Sequence, residues 1–148
     1  MTTPTKPEIM VRLERLLEAS PETVYRALSD PAHLVRWYAP SDDFVVEVHE
    51  WDLRPGGRFR ISMKHRAGTV HTPVGVFREV VPGRRICHTW TWEGEPVMDT
   101  LVTLEIVAAP GGTAITLTHT GFPSAEAAGK HQEGWVGCLA RLAETVTS

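Results

Sequence analysis

Residues 115–146 read ITLTHTGFPSAEAAGKHQEGWVGCLARLAETV, and two different periods meet inside that stretch. Up to Thr120 every second residue points one way: Ile115, Leu117 and His119 share a face, as a half-buried strand requires. Gly121-Phe122-Pro123 breaks the alternation, and Ser124 is suited to cap a helix by accepting a backbone N–H. Beyond it His131, Trp135, Cys138, Leu139, Leu142 and Val146 recur at helical spacing, which predicts one long helix to about Val146 with a single buried stripe. Gly129, Gly134 and Gly137 each cost about 1 kcal/mol in a helix relative to Ala. Three of them predict a helix that packs closely on the sheet or bends over it.

Working back from that junction, period 2 continues to Phe44. Phe44 to His49 is a short strand, followed by the tight turn Arg54-Pro55-Gly56-Gly57. Arg58 to His65 places Phe59, Ile61, Met63 and His65 on one face, and Ala67-Gly68 is a hairpin signal. Thr69 to Val81 forms the next strand, with Pro73 marking an edge or a bulge. After Pro82-Gly83, Arg85 to Trp92 sets Ile86, His88, Trp90 and Trp92 against Cys87, Thr89 and Thr91. Asp99 to Val107 groups Thr100, Val102, Leu104 and Ile106, and Pro110-Gly111-Gly112 turns the chain into the last strand.

At the other end Ile9 to Leu17 alternates as a first strand. Ser20-Pro21 opens a short helix through Val24, Tyr25 and Leu28, because Ser caps and Pro suits the first helical position. Asp30-Pro31 repeats the signal for a second, carrying Leu34 and Trp37 and stopped by Pro40. Residues 1–8 are expected to be a disordered tail, and 9–146 a single domain. Segregated strands with few helices make an α+β class: an antiparallel meander of about six to seven strands curved round the last helix. A long sheet wrapped about one helix cannot readily fill its own interior, so a cavity is expected.

Composition narrows the function. A net charge of −3, with Lys and Arg scattered, offers no footprint for a phosphate backbone, so no nucleic-acid partner is expected. No run approaches the ~20 apolar residues of a membrane span. Met1 to Pro7 lacks an apolar signal region, and Cys87 and Cys138 stand far apart, which suits a reducing, cytoplasmic address and buried thiols.

The chain resembles the C-terminal domain family of the activator of the heat-shock protein 90 ATPase, within the START-like, birch-pollen-allergen-like superfamily. Ala19-Ser20-Pro21 with Val24, Ala27 and Leu28, then Asp30-Pro31 and Trp37, carry the first part of the likeness. Asp52 to Gly57 with Phe59, Gly75-Val76-Phe77 and Val81-Pro82 carry the middle. Thr118 to Phe122 and Gly134-Trp135 with Leu139 and Leu142 complete it, from about Ile9 to Val146. The resemblance implies a helix-grip fold. Its relatives include lipid carriers, hormone receptors, polyketide cyclases and co-chaperone domains, and a shared fold does not decide among them.

The candidate chemistry lies on the inward faces. His65, His88, His119 and His131 form either a polar cluster that orients a ligand or a set of separately satisfied imidazoles. No His or Cys spacing matches a zinc site, so no metal and no cofactor are expected. Trp90, Trp92 and Trp135 either stack on a ligand or fill the core. Trp37 and Trp51 read as plugs near the mouth, Asp52 and Arg54 as a turn-stabilising pair, and Arg15 and Glu79 as an inward ion pair if both face the interior. No nucleophile elbow or activated thiol is present, so no catalytic residue is assigned.

The expected pocket is lined by Met63, His65, His88, Trp90 and Trp92, with Leu117, His119, His131, Trp135 and Leu139 completing it. The expected function is non-catalytic binding of a small hydrophobic or amphipathic molecule, such as a lipid, in an internal cavity, by a monomer or homodimer. One alternative is an enzyme of polyketide-cyclase or hydrolase type using a pocket His as acid–base. The other is a chaperone co-factor whose partner is a chaperone protein.

Overall fold

The computed structural model describes residues 9–147; the tail expected over 1–8 lies outside the described residues. Strand β1 (Met10–Leu17) is followed by helices α1 (Pro21–Ser29) and α2 (Pro31–Trp37). Strands β2 (Phe44–Trp51), β3 (Arg58–His65), β4 (Val70–His71) and β5 (Pro73–Val81) come next. The chain ends in β6 (Arg85–Trp92), β7 (Thr100–Ala109), β8 (Gly112–Thr120) and α3 (Ala125–Thr147). The strands form one antiparallel sheet in the order β1-β8-β7-β6-β5-β3-β2, with the two-residue β4 beside β3. The α+β helix-grip architecture expected from the sequence is the one found.

The helix starts obey their caps. Ser20 accepts the Thr23 N–H at 3.2 Å, and Pro21 opens α1. Asp30 serves two helices: its backbone N–H closes α1 on Arg26 O at 3.0 Å, while its carboxylate accepts the Ala32 N–H of α2 at 2.9 Å. Caps of this kind contribute about 1 kcal/mol each. Trp37 and Trp51 then pin α1 from two sides, donating to Ala27 O and Ser29 O, each at 2.8 Å. Neither lines a pocket mouth: Trp37 ties α2 to α1, and Trp51 ties β2 to α1.

The sheet departs from simple alternation at three places. The strand expected over Thr69–Val81 is split at Thr72, because Pro73 has no N–H to carry the ladder through. A bulge in β2 lies between Val48 and Glu50, and a second in β5 lies between Phe77 and Glu79. The β5 bulge reverses the strand's phase, so Phe77 is buried and Glu79 is exposed. Glu79 therefore pairs with Arg85 at 2.9 Å. The expected Arg15–Glu79 pair does not form, since β8, β7 and β6 stand between β1 and β5.

Helix α3 starts where Ser124 accepts the Ala127 N–H at 3.1 Å, and it buries Ala128, Trp135, Cys138, Leu139 and Leu142. It approaches β1, α1 and α2 closely. Of its glycines only Gly137 marks a tight approach: a Cβ there would stand 2.2 Å from Pro40 O. That contact is with the segment after α2, so the glycines do not pack the helix onto the sheet as expected. Gly129 and Gly134 face open space.

Candidate ligand pocket

Between α3 and the concave face of the sheet lies a hollow of about 480 Å³. Strand alternation supplies one wall: Trp90 and Trp92, two residues apart on β6, face the same side, and Met63 joins them from β3. Helical spacing supplies the opposite wall, where His131, Gly134, Trp135 and Cys138 lie on adjacent turns of α3. Tyr38, at the end of α2, and Phe44, at the start of β2, close one end, with Pro40 between them. Exposed His71, Glu95 and Lys130 stand at the rim. The rings are in mutual contact, with centroids of Trp90 and Trp135 at 5.1 Å and of Trp90 and Trp92 at 5.4 Å.

Two hydrogen-bonded chains hold the histidines in fixed forms. An indole N–H only donates, so the Trp135 bond to His119 Nδ1 at 3.0 Å leaves that nitrogen without a proton. His119 Nε2–H then donates to Thr100 Oγ1 at 3.0 Å, and the Thr100 hydroxyl donates to Trp90 O at 2.5 Å. In the second chain Trp92 donates to His131 Nε2 at 3.1 Å, and His131 Nδ1–H donates to Ala127 O at 2.8 Å. His88 Nδ1–H donates to Thr89 O at 2.8 Å.

Burial sets the charge states. It pushes the His88 pKa down to about 4 against the pull of the Thr89 carbonyl. Burial, with the neighbouring His131 and His88 imidazoles, lowers His119 to about 2. His131 is lowered by burial too, with the Ala127 carbonyl and Glu95 opposing. The Cys138 thiol is pushed up to about 12 by burial, against Arg141. The Tyr38 phenol is raised well above its ordinary value by burial and by Cys138. Near neutral pH these inner groups are all uncharged.

Of the residues expected to line a pocket, Met63, Trp90, Trp92, His131 and Trp135 face the hollow. His88, His119, Leu117 and Leu139 are buried but do not line it. The rings of Phe59 and Phe77 cover His88, at 4.6 and 5.7 Å, and Phe122 covers His119 at 4.3 Å. His65 sits at the edge of the Phe44 ring, 5.0 Å away, and its Nδ1 accepts the Ala67 N–H of the hairpin turn. Tyr38, Phe44, His71, Glu95 and Lys130 were not foreseen. Only Phe44 carried a local signal, as the opening residue of a strand whose inward side chains point at the helix.

Asp52 and Arg54 form the expected turn pair, with Arg54 Nε 2.9 Å from both carboxylate oxygens. Among the described residues no group of three or more His, Cys, Asp or Glu is placed to hold a metal ion. No described helix is long and apolar enough to cross a membrane.

Comparison with known proteins gives a consistent picture. Residues 18–147 match the model of the family described as activator of Hsp90 ATPase homolog 1-like protein. The structure is similar to protein CV1439 from Chromobacterium violaceum, with 34% identity over 95% of this chain and 98% of that one and a TM-score of 0.86. It is also similar to the AHSA1 protein from Silicibacter pomeroyi, with 25% identity, coverage of 93% and 97%, and a TM-score of 0.82. For the AHSA1-like protein from Aeromonas hydrophila the identity is 26%, the coverage 93% and 92%, and the TM-score 0.79. No curated relative matches the chain.

Proposed function

The chain belongs to the activator of Hsp90 ATPase homolog 1-like family, and from that premise we propose that it binds a small, largely apolar molecule between α3 and the sheet without transforming it. The observation that carries this reading is the aromatic hollow of about 480 Å³. Protein interiors are close-packed and leave few voids larger than a water molecule, whereas small-molecule sites run to about 300–1,000 Å³ with mostly apolar walls. A molecule seated there regains the dispersion contacts that Trp90, Trp92, Trp135 and Phe44 otherwise lack on one side.

The chemistry of the wall favours binding over turnover. A general base needs a nitrogen lone pair facing its substrate. His131, the imidazole on the inner wall, has Nε2 engaged by Trp92 and Nδ1 by Ala127. Cys138 stays a thiol at neutral pH because burial raises it, and a thiol is a poor nucleophile. For a chaperone partner the support is thinner: exposed Leu16 and Val107 flank Ala114 in one cross-strand row, but exposed Val45 and Val136 lie apart from them, on β2 and α3.

Native mass spectrometry of protein purified gently from its host, followed by thermal shifts with a library of lipids and aromatics, tests this function. A co-purified mass released on denaturation, or a library member that raises Tm, is the expected result; a ligand at 100 times its Kd stabilises by about 2.7 kcal/mol. A clean apo mass together with no shift from any member overturns it.

A further inference from the structure

The chain has five tryptophans. Trp37, Trp51, Trp92 and Trp135 donate their indole N–H to Ala27 O, Ser29 O, His131 and His119 respectively. The fifth does not: Trp90 is 3% exposed, and its Nε1–H is buried with no hydrogen-bond partner. The Tyr38 hydroxyl and the Cys138 thiol also make no hydrogen bond among the described residues, although the Tyr38 oxygen is not sealed off as the Trp90 nitrogen is. All three residues line the same hollow, and the Tyr38 and Trp90 ring centroids are 6.3 Å apart. Thr100, Thr113, His88 and His119 are matched, and the other buried nitrogen without a hydrogen bond among the described residues, Arg85 Nε, is ion-paired with Glu79 at 2.9 Å. An unmade hydrogen bond is costly in a buried site, and the Trp90 N–H stands on the wall of the hollow beside two further donors.

We infer that the ligand of this hollow presents a neutral hydrogen-bond acceptor, of ketone or aldehyde type, on a flat aromatic body, and that the Tyr38 hydroxyl binds that acceptor beside the Trp90 indole. The inference rests on the hollow being a ligand pocket. An indole N–H only donates, so the partner missing at Trp90 is an acceptor, and the Tyr38 phenol can donate to the same atom. A carboxylate would accept as well, but the burial that keeps Tyr38 and Cys138 protonated penalises an anion equally. Arg141 Nη1 donates to Ser41 O at 2.9 Å, and the charge of exposed Lys130 at the rim is offset by Glu95 on the same rim and by Glu126 at 3.6 Å. The aromatic walls suit a flat body that stacks.

Isothermal titration calorimetry with 2-acetonaphthone, the near-isosteric 2-ethylnaphthalene and 2-naphthoate, on wild-type protein and on Tyr38→Phe, decides it. The wild type is expected to bind the ketone about tenfold more tightly than the hydrocarbon and more tightly than the carboxylate. Tyr38→Phe is expected to remove most of that preference, read as the ratio of the ketone and hydrocarbon affinities within the variant. The infrared carbonyl band of the bound ketone should lie lower in the wild type than in hexane, a readout that needs no variant if Tyr38→Phe fails to fold. Equal binding of ketone and hydrocarbon, or tightest binding of 2-naphthoate, overturns the inference while leaving the pocket intact. Failure of every probe to bind overturns the ligand-pocket reading and this inference with it.

Discussion

His119 shows what burial does to a single side chain in this fold. Its Nδ1 accepts from Trp135 and its Nε2–H donates to Thr100, so the neutral ring is fully satisfied and a second proton would break the Trp135 bond. The folded-state pKa accordingly sits at about 2, and that of His88 at about 4, both below the ordinary value near 6.5 of an unfolded chain. Below pH 6.5 the unfolded chain takes up protons that the folded chain refuses, so these groups leave stability intact above that pH and erode it as the pH falls. The slope is about 1.4 kcal/mol per pH unit for each imidazole. Urea unfolding is therefore expected to show a fall of a few kcal/mol between pH 7 and pH 5. His119→Gln, whose amide can still accept and donate, should flatten that slope by about one imidazole's worth; an unchanged slope contradicts the assignment. Alternation put His88 and His119 on the correct side of the sheet. It could not show that Phe59, Phe77 and Phe122 would cover them, because those rings arrive from other elements. Tyr38 was illegible for a different reason: it follows the last turn of α2, where neither period applies.

At the level of elements, the helix starts and most strand boundaries were readable because each rests on local chemistry. Ser20-Pro21 and Asp30-Pro31 cap and open α1 and α2 wherever the tertiary fold takes them. The bulge between Phe77 and Glu79 was not readable, since it depends on the partner strand, and it turned Glu79 from an inward charge into a surface partner of Arg85. Helix α3 gives a paired test of packing. At Gly129 a methyl group meets nothing within 4 Å, so Gly129→Ala should stabilise by about 0.5–1 kcal/mol through helix propensity and the unfolded chain. At Gly137 the same methyl would stand 2.2 Å from Pro40 O, a backbone atom. Gly137→Ala should therefore destabilise by about 1–3 kcal/mol despite the same propensity gain. Chemical denaturation of the two variants checks the sign of each; equal shifts in one direction would contradict the close approach of α3 to the segment after α2.

For the whole molecule, β1 pairs with β8 along its full length while α1 and α2 lead straight from β1 to β2 at the opposite edge. Residues from both ends of the chain thus enter one core, in which Val11, Leu17, Trp37, Ile115 and Leu142 are all buried. We propose that residues 9–146 unfold as one cooperative unit. Calorimetry should give a single transition with equal calorimetric and van't Hoff enthalpies, and two resolved transitions would contradict it. The curved sheet and its helix were legible in the sequence. The hollow was legible only as a consequence of that curvature, and its lining depended on loop and helix-end residues that pattern does not reach. The five tryptophans make the hollow directly observable by NMR, through the indole N–H signals. Titration with 2-ethylnaphthalene is expected to move the signals of Trp90, Trp92 and Trp135, which line the hollow, and to leave those of Trp37 and Trp51, bonded to α1, in place. Unmoved signals for all five at saturating probe, or movement confined to Trp37 and Trp51, would contradict binding between α3 and the sheet.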